Sequence, residues 1–168
     1  IKDTDIVIYR ELTAGIYFGD KIFSDDGNTA TDTCAYTRFE IERIAHLAFK
    51  AAQKRKRKLT LVDKANVLAS SKLWRKVIQE MAPQYPDIAV SYMYIDKAAM
   101  ELAINPRQFD VILTENMFGD ILSELAGVIV GSIGLLASAS FSDKKAMFQP
   151  IHGAYNKASN QGIANPIA

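Results

Sequence analysis

Asp120 and Glu124 stand four residues apart in the segment Glu115-Asn116-Met117-Phe118-Gly119-Asp120-Ile121-Leu122-Ser123-Glu124. The segment follows the apolar run Val111-Ile112-Leu113, which reads as a buried strand, and it opens a helix with Asn116 as its expected N-cap. At helical spacing both carboxylates share one face, among Ile, Leu, Val and Ala. Two unpaired carboxylates there repel each other and resist desolvation. A hard divalent cation with oxygen ligands removes both problems. A solvated stripe of charge has the same spacing, so other residues must decide between the two.

Those residues sit at the carboxyl ends of predicted strands, where function gathers in open α/β sheets. Lys64 directly follows Leu59-Thr60-Leu61-Val62-Asp63. A lysine held near a carboxylate or a metal acts as a base when its pKa is lowered; elsewhere it snorkels to the surface. Asp96 follows another strand and is a metal ligand or a helix N-cap. Tyr17 is a proton donor or a packed ring with a satisfied hydroxyl. Arg10 grips a carboxylate in bidentate fashion or pairs on the surface. His152 precedes Gly153, which lets backbone approach a ligand closely.

The elements that position these groups alternate along the chain. Strands are expected at 5–10, 59–62, 88–95 and 109–114. Helices are expected behind the capping box Thr37-Arg38-Phe39-Glu40, from Ser70 to Met81, from Asp96 to Asn105, and after Asn116. This order implies a largely parallel sheet with helices packed on it. Asp25-Asp26-Gly27-Asn28 is a hairpin signal in a segment poor in core residues. Residues 20–36 are therefore expected to form a projecting β arm that packs on a partner.

Composition narrows the function classes. Of the 168 residues 49% are hydrophobic and 23% charged, as in an ordinary globular α/β protein, and the net charge of +1 gives no reason to expect a nucleic-acid or membrane partner. Lys54 to Lys58 form a basic run with no interleaved aromatics, expected to be a solvated helix end. The apolar run 121–139 is interrupted by Ser123, Glu124 and three glycines, so a buried core helix and loop are expected there, not a membrane span. No secretory signal pattern precedes the first strand. The single cysteine, Cys34, excludes an internal disulfide framework and suits a reducing cytoplasmic setting. No glycine-rich phosphate loop follows any strand, and no Cys or Ser nucleophile has an organised partner.

Four segments together resemble the isocitrate/isopropylmalate dehydrogenase family of metal-dependent decarboxylating enzymes. They are Arg10-Glu11-Leu12-Thr13-Ala14-Gly15-Ile16-Tyr17-Phe18-Gly19, Val62-Asp63-Lys64-Ala65-Asn66-Val67-Leu68, Thr114 to Glu124, and Pro150-Ile151-His152-Gly153 with Ile163-Ala164-Asn165-Pro166. The first two favour the isopropylmalate branch. The resemblance implies NAD-dependent oxidation and decarboxylation of 3-isopropylmalate in leucine biosynthesis, with Mg²⁺ or Mn²⁺, in a cytoplasmic homodimer with shared active sites. It implies Asp96, Asp120 and Glu124 as metal ligands, Lys64 as base, Tyr17 as acid and Arg10 as substrate ligand. It sets Asn66, His152, Gly153 and Asn165 beside the dinucleotide, with the lysine and one aspartate of each site supplied by the neighbouring subunit.

The resemblance further implies that residues 1–133 form a substrate, metal and dimerisation domain, that 134–168 return into a dinucleotide-binding domain, and that the chain is a fragment, inactive alone. Departures from the family pattern bear on two roles. Glu124 stands where an Asp is usual, which moves its carboxylate outward. Lys157 stands where an Asp contacts the adenosine ribose, which leaves NAD against NADP open. The alternatives are a related dehydrogenase acting on tartrate, malate or isocitrate, or a non-catalytic oligomerisation or nucleic-acid-binding module.

Overall fold

The computed structural model describes residues 4–142, 144–154 and 156–163. Four parallel strands form the main sheet: β1 (Val7–Arg10), β4 (Lys58–Asp63), β5 (Ala89–Tyr94) and β6 (Val111–Thr114), in the order β1-β6-β4-β5. The antiparallel pairs β2 (Lys21–Phe23) with β3 (Ala30–Asp32), and β7 (Ala137–Phe141) with β8 (Ala146–Pro150), are separate hairpins. Helices α1 (Arg38–Gln53), α2 (Ala69–Met81), α3 (Ile95–Ile104) and α4 (Asn116–Val130) connect and cover the main sheet. The α/β class with a largely parallel sheet is as expected.

Alternation along the central strands divides the core into two layers. Leu59, Leu61, Val111 and Leu113 pack with Ile41, Phe49, Trp74 and Ile78 of α1 and α2. Val62 and Ile112 pack with Ala98, Leu102 and Leu122 of α3 and α4 on the opposite face. Because the sheet is parallel, the carboxyl ends of all four strands emerge along one edge. That edge carries Arg10, Asp63-Lys64, Tyr94 to Asp96 and Thr114 to Asn116.

Several local expectations need correction. Asn116 is the first residue of α4 and not its cap; Glu115 holds the cap position without a capping bond. The Tyr36 hydroxyl accepts the Asn116 N–H at 2.8 Å and satisfies one helix-end donor, while the Asn116 side-chain amide bonds Arg10 and Ala14. Asp96 likewise is no cap, since α3 begins at Ile95 straight out of β5 and Asp96 lies in its first turn, where a negative charge suits the dipole. The arm is shorter than expected. Its strands are fully exposed, with Ile22 and Phe23 bare, but Tyr36 is buried edge-on against Trp74 and belongs to the core.

The apolar run after Asp120 is also not wholly buried. Only one side of α4 faces the sheet, so Ile121, Val128 and Val130 are exposed. Gly131 ends the helix in the left-handed region at φ +88°. No helix among the described residues is long and apolar enough to cross a membrane.

The basic run does structural work that its composition hides. Arg55 Nε donates to the fully buried Asp110 carboxylate at 2.7 Å, and the Lys56 N–H donates to the same group at 2.8 Å. Arg55 also bonds the Asp5 carbonyl, which ties the start of β1 to the end of α1. Replacing Arg55 with alanine leaves the Asp110 charge buried without its cation. That substitution is expected to destabilise the protein by about 3 kcal/mol in chemical denaturation.

Candidate active site

Two clusters stand on the carboxyl edge of the sheet. The first gathers around Asp120, one turn into α4. Arg10, the last residue of β1, donates through Nη1 to Asp120 Oδ1 at 2.5 Å, and Tyr17 donates its hydroxyl to Asp120 Oδ2 at 2.8 Å. The guanidinium also lies 5.7 Å from the centre of the Tyr17 ring. Tyr17 is exposed at 45%, and its phenol pKa is raised, first by the hydrogen bond to the Asp120 carboxylate and then by desolvation. It therefore keeps its proton through neutral pH. Glu124 is exposed one turn further along α4.

Arg10 reaches Asp120 because the helix between them is bare at one point. A Cβ at Gly119 would lie 2.6 Å from Arg10 Cγ. The loop that carries Tyr17 is held by a carboxylate that sequence reasoning missed. Glu11 is 1% exposed and accepts the Thr13 and Ala14 N–H groups at 2.8 and 2.9 Å, the Thr13 hydroxyl, and Arg43 Nη2 at 2.7 Å. Its signal was faint: an acid two residues before a threonine in a glycine-bearing turn.

The second cluster lies beyond β6, at the ends of β4 and β5. Lys64 Nζ donates to Asp96 Oδ1 at 2.5 Å. The ammonium holds the Asp96 carboxyl below its usual range. Asp63, also missed from sequence, is buried beneath this pair. It receives Arg75 in bidentate fashion, with both bonds at 2.8 Å, and accepts the Ala65 N–H at 2.9 Å. This pins the turn from which Lys64 projects. Asn66 is exposed in that same turn.

The two clusters do not meet within one chain. No hydrogen bond or ion pair joins Lys64 or Asp96 to Arg10, Tyr17 or Asp120 among the described residues. Arg10 ends β1 and Asp96 follows β5, and these strands are three spacings apart in the sheet, roughly 14 Å. Among the described residues no three His, Cys, Asp or Glu side chains gather as a metal requires. The donor chemistry nevertheless fits a hard cation: Asp120 and Glu124 offer carboxylate oxygens on one accessible face, and Asp96 offers a third at the other cluster. In a single copy these carboxylates fall in two separate clusters.

The residues assigned to the dinucleotide are not assembled either. His152 follows β8, is exposed, and makes an Nδ1 contact of 2.9 Å with the Gly153 carbonyl. A Cβ at Gly153 would meet nothing within 4 Å, so the backbone there is open to a ligand. No bond links His152 to Asn66 among the described residues, and Asn165 lies outside them.

Between the clusters lies one carboxyl with unusual chemistry. Glu115 is 3% exposed and its Oε2 has no hydrogen-bond partner. Burial, reinforced by the nearby Asp63 carboxylate, pushes its pKa up from 4.5 to about 7. A carboxyl raised on folding destabilises the folded state as it ionises. The penalty is absent below the unfolded pKa of 4.5, grows as pH rises to about 7, and is constant above that. Its full size is about 3 kcal/mol. Glu115→Gln is expected to flatten the fall in unfolding free energy between pH 5 and pH 8, measured by denaturant titration.

The sequence profile of the isocitrate/isopropylmalate dehydrogenase family matches residues 1–168. The chain is 56% identical over 169 residues to a 3-isopropylmalate dehydrogenase from Staphylococcus saprophyticus subsp. saprophyticus, covering 99% of this chain and 48% of that protein. It is 55% identical over 168 residues to one from Wolinella succinogenes, covering 100% of this chain and 47% of that protein. A crystal structure of isocitrate dehydrogenase from Methylococcus capsulatus superposes with a TM-score of 0.94 at 38% identity, covering 100% of this chain and 51% of that one. The chain therefore spans about half the length of the curated relatives it matches. Profile, identity and superposition agree, and the chain belongs to the isocitrate/isopropylmalate dehydrogenase family.

Proposed function

We propose that this chain is the metal-binding and dimer-forming part of a 3-isopropylmalate dehydrogenase. The full-length enzyme oxidises 3-isopropylmalate with NAD⁺ and releases CO₂, a step of leucine biosynthesis in the cytoplasm. The observation that carries the reading is the convergence of Arg10 and Tyr17 on the two oxygens of Asp120, at the carboxyl edge of a parallel sheet.

The active site is completed across a homodimer. One copy contributes Arg10, Tyr17, Asp120 and Glu124; the other contributes Lys64 and Asp96. The exposed Ile121, Val128 and Val130 on α4 and the bare arm residues Ile22 and Phe23 give that dimer an apolar surface to bury. Residues 1–133 form this domain, and 134–168 lead into the dinucleotide-binding part, where His152, Gly153 and Asn165 stand beside NAD, with Asn66 reaching it from the neighbour.

Within the site each side chain has a distinct task. Asp120, Glu124 and the second copy's aspartate at position 96 would hold Mg²⁺ or Mn²⁺. When bound, the cation lowers the pKa of a coordinated hydroxyl and stabilises negative charge on oxygen, while the nicotinamide supplies the hydride acceptor. Arg10 orients a substrate carboxylate with the guanidinium donors that Asp120 leaves free. Lys64, once unprotonated, accepts the hydroxyl proton at Nζ. Tyr17, which retains its phenolic proton at neutral pH, returns a proton to the carbon from which CO₂ departs.

The experiment is turnover by the full-length open reading frame with Mn²⁺. The expected kcat/KM for 3-isopropylmalate exceeds that for isocitrate, malate or tartrate by about 100-fold or more, with NAD⁺ as the better acceptor. A preference for another hydroxy acid would overturn the substrate assignment. A preference for NADP⁺ would assign Lys157 to a 2′-phosphate.

A further inference from the structure

The geometry points to Asn116 as the residue that positions Arg10 for substrate, acting through its side-chain amide and anchored by the Tyr36 hydroxyl. This rests on the reading of Arg10 as a substrate-carboxylate ligand.

Asn116 is 2% exposed, and each of its polar groups is committed. Its Oδ1 accepts Arg10 Nε at 3.0 Å. Its Nδ2 donates to the Ala14 carbonyl at 3.2 Å, and its backbone N–H donates to the Tyr36 hydroxyl at 2.8 Å. The amide cannot turn over without setting its NH₂ against a guanidinium donor and its oxygen against a carbonyl. The Tyr36 ring is itself held edge-on by Trp74 at 5.4 Å between centres. A Cβ at Gly15 would overlap the Tyr36 hydroxyl, and Gly15 adopts φ +81°, so the hydroxyl reaches Asn116 only past a glycine.

The consequence falls on Arg10. A free arginine side chain samples many rotamers, and ordering it on substrate binding weakens affinity. Here the stem lies against Gly119, the Nε edge is taken by Asn116, and one Nη1 hydrogen is taken by Asp120. The Nη2 hydrogens and the second Nη1 hydrogen remain, in the plane of a guanidinium held at two points. Aspartate at position 116 would keep the acceptor for Nε but replace the donor to Ala14 with an oxygen set against that carbonyl. Alanine would lose both and leave the Ala14 carbonyl and Arg10 Nε without partners.

The test is a double-mutant cycle in the full-length enzyme. Asn116→Ala is expected to raise KM for 3-isopropylmalate about tenfold while kcat falls less than about threefold, the pattern of lost ground-state and transition-state binding in equal measure. In an Arg10→Lys background, which has no Nε to hold, Asn116→Ala should add nothing further. Tyr36→Phe, which keeps the ring on Trp74, should raise KM by about threefold and lose that effect in the same background.

Additive effects in the two backgrounds, or a kcat loss as large as the KM change, would each overturn the inference. So would an Asn116→Ala enzyme of normal KM when Arg10→Lys is impaired. An Arg10→Lys enzyme with normal KM would instead remove the reading of Arg10 itself, and the inference with it.

Discussion

Replacing Lys64 with alanine in the full-length enzyme is expected to lower kcat by about 10³-fold, within the range a positioned acid or base contributes. The side chain leaves the end of β4 from a turn pinned by the buried Asp63–Arg75 pair, and its amine rests on Asp96. Nothing in the core depends on it, because the bond to Asp96 lies at the surface. The variant should therefore unfold at close to the normal denaturant concentration while turning over poorly. A snorkelling surface lysine would give the same stability with near-normal turnover. Steady-state kinetics beside a denaturation curve separates the two outcomes.

Asp120→Asn should be comparably severe, about 10³-fold in kcat with a matching rise in the Mn²⁺ concentration needed for activity. The substitution conserves shape, so the loss isolates charge. Arg10 loses its ion pair, a hard cation loses an anionic oxygen, and the Tyr17 hydroxyl loses the carboxylate it donates to. That last change has an independent readout. The Tyr17 pKa is raised chiefly by its bond to Asp120, so in the variant it should fall toward the ordinary phenol value. An ultraviolet tyrosine titration checks this without substrate. Near-normal turnover would reject Asp120 as a metal ligand.

The alternating order of strands and helices was legible because each element carries its own period and its own stop. The Thr37–Glu40 capping box closes as its spacing implies. Pro83 and Asn105-Pro106 fall where α2 and α3 end. The failures came where a partner distant in sequence took over a local role. Asn116 looks like a cap, but its side chain is taken by Arg10 and the Ala14 carbonyl, both more than a hundred positions earlier, and Tyr36 accepts its N–H. Lys54 to Lys58 look solvated, but Asp110 claims Arg55.

The site was legible as residue types and not as an arrangement. Asp96, Asp120, Lys64 and Tyr17 were identified at strand ends, but residue spacing says nothing of strand order. Once β6 and β4 lie between β1 and β5, the Lys64–Asp96 pair and the Arg10–Tyr17–Asp120 group fall into separate clusters. The buried supports, Glu11 and Asp63, gave almost no signal. Each is an acid whose importance comes from an arginine more than ten positions away, Arg43 and Arg75.

The central claim is that these clusters are two halves of one site, joined between copies. Full-length Lys64→Ala and Asp120→Asn, each inactive alone, can be mixed, unfolded and refolded together. In a mixed dimer one site combines the intact Asp120 of the first variant with the intact Lys64 of the second, and the other site carries both defects. Random pairing should restore about a quarter of the wild-type turnover per subunit. Activity no greater than the sum of the two inactive parents would contradict a shared site and require both halves to act within one chain.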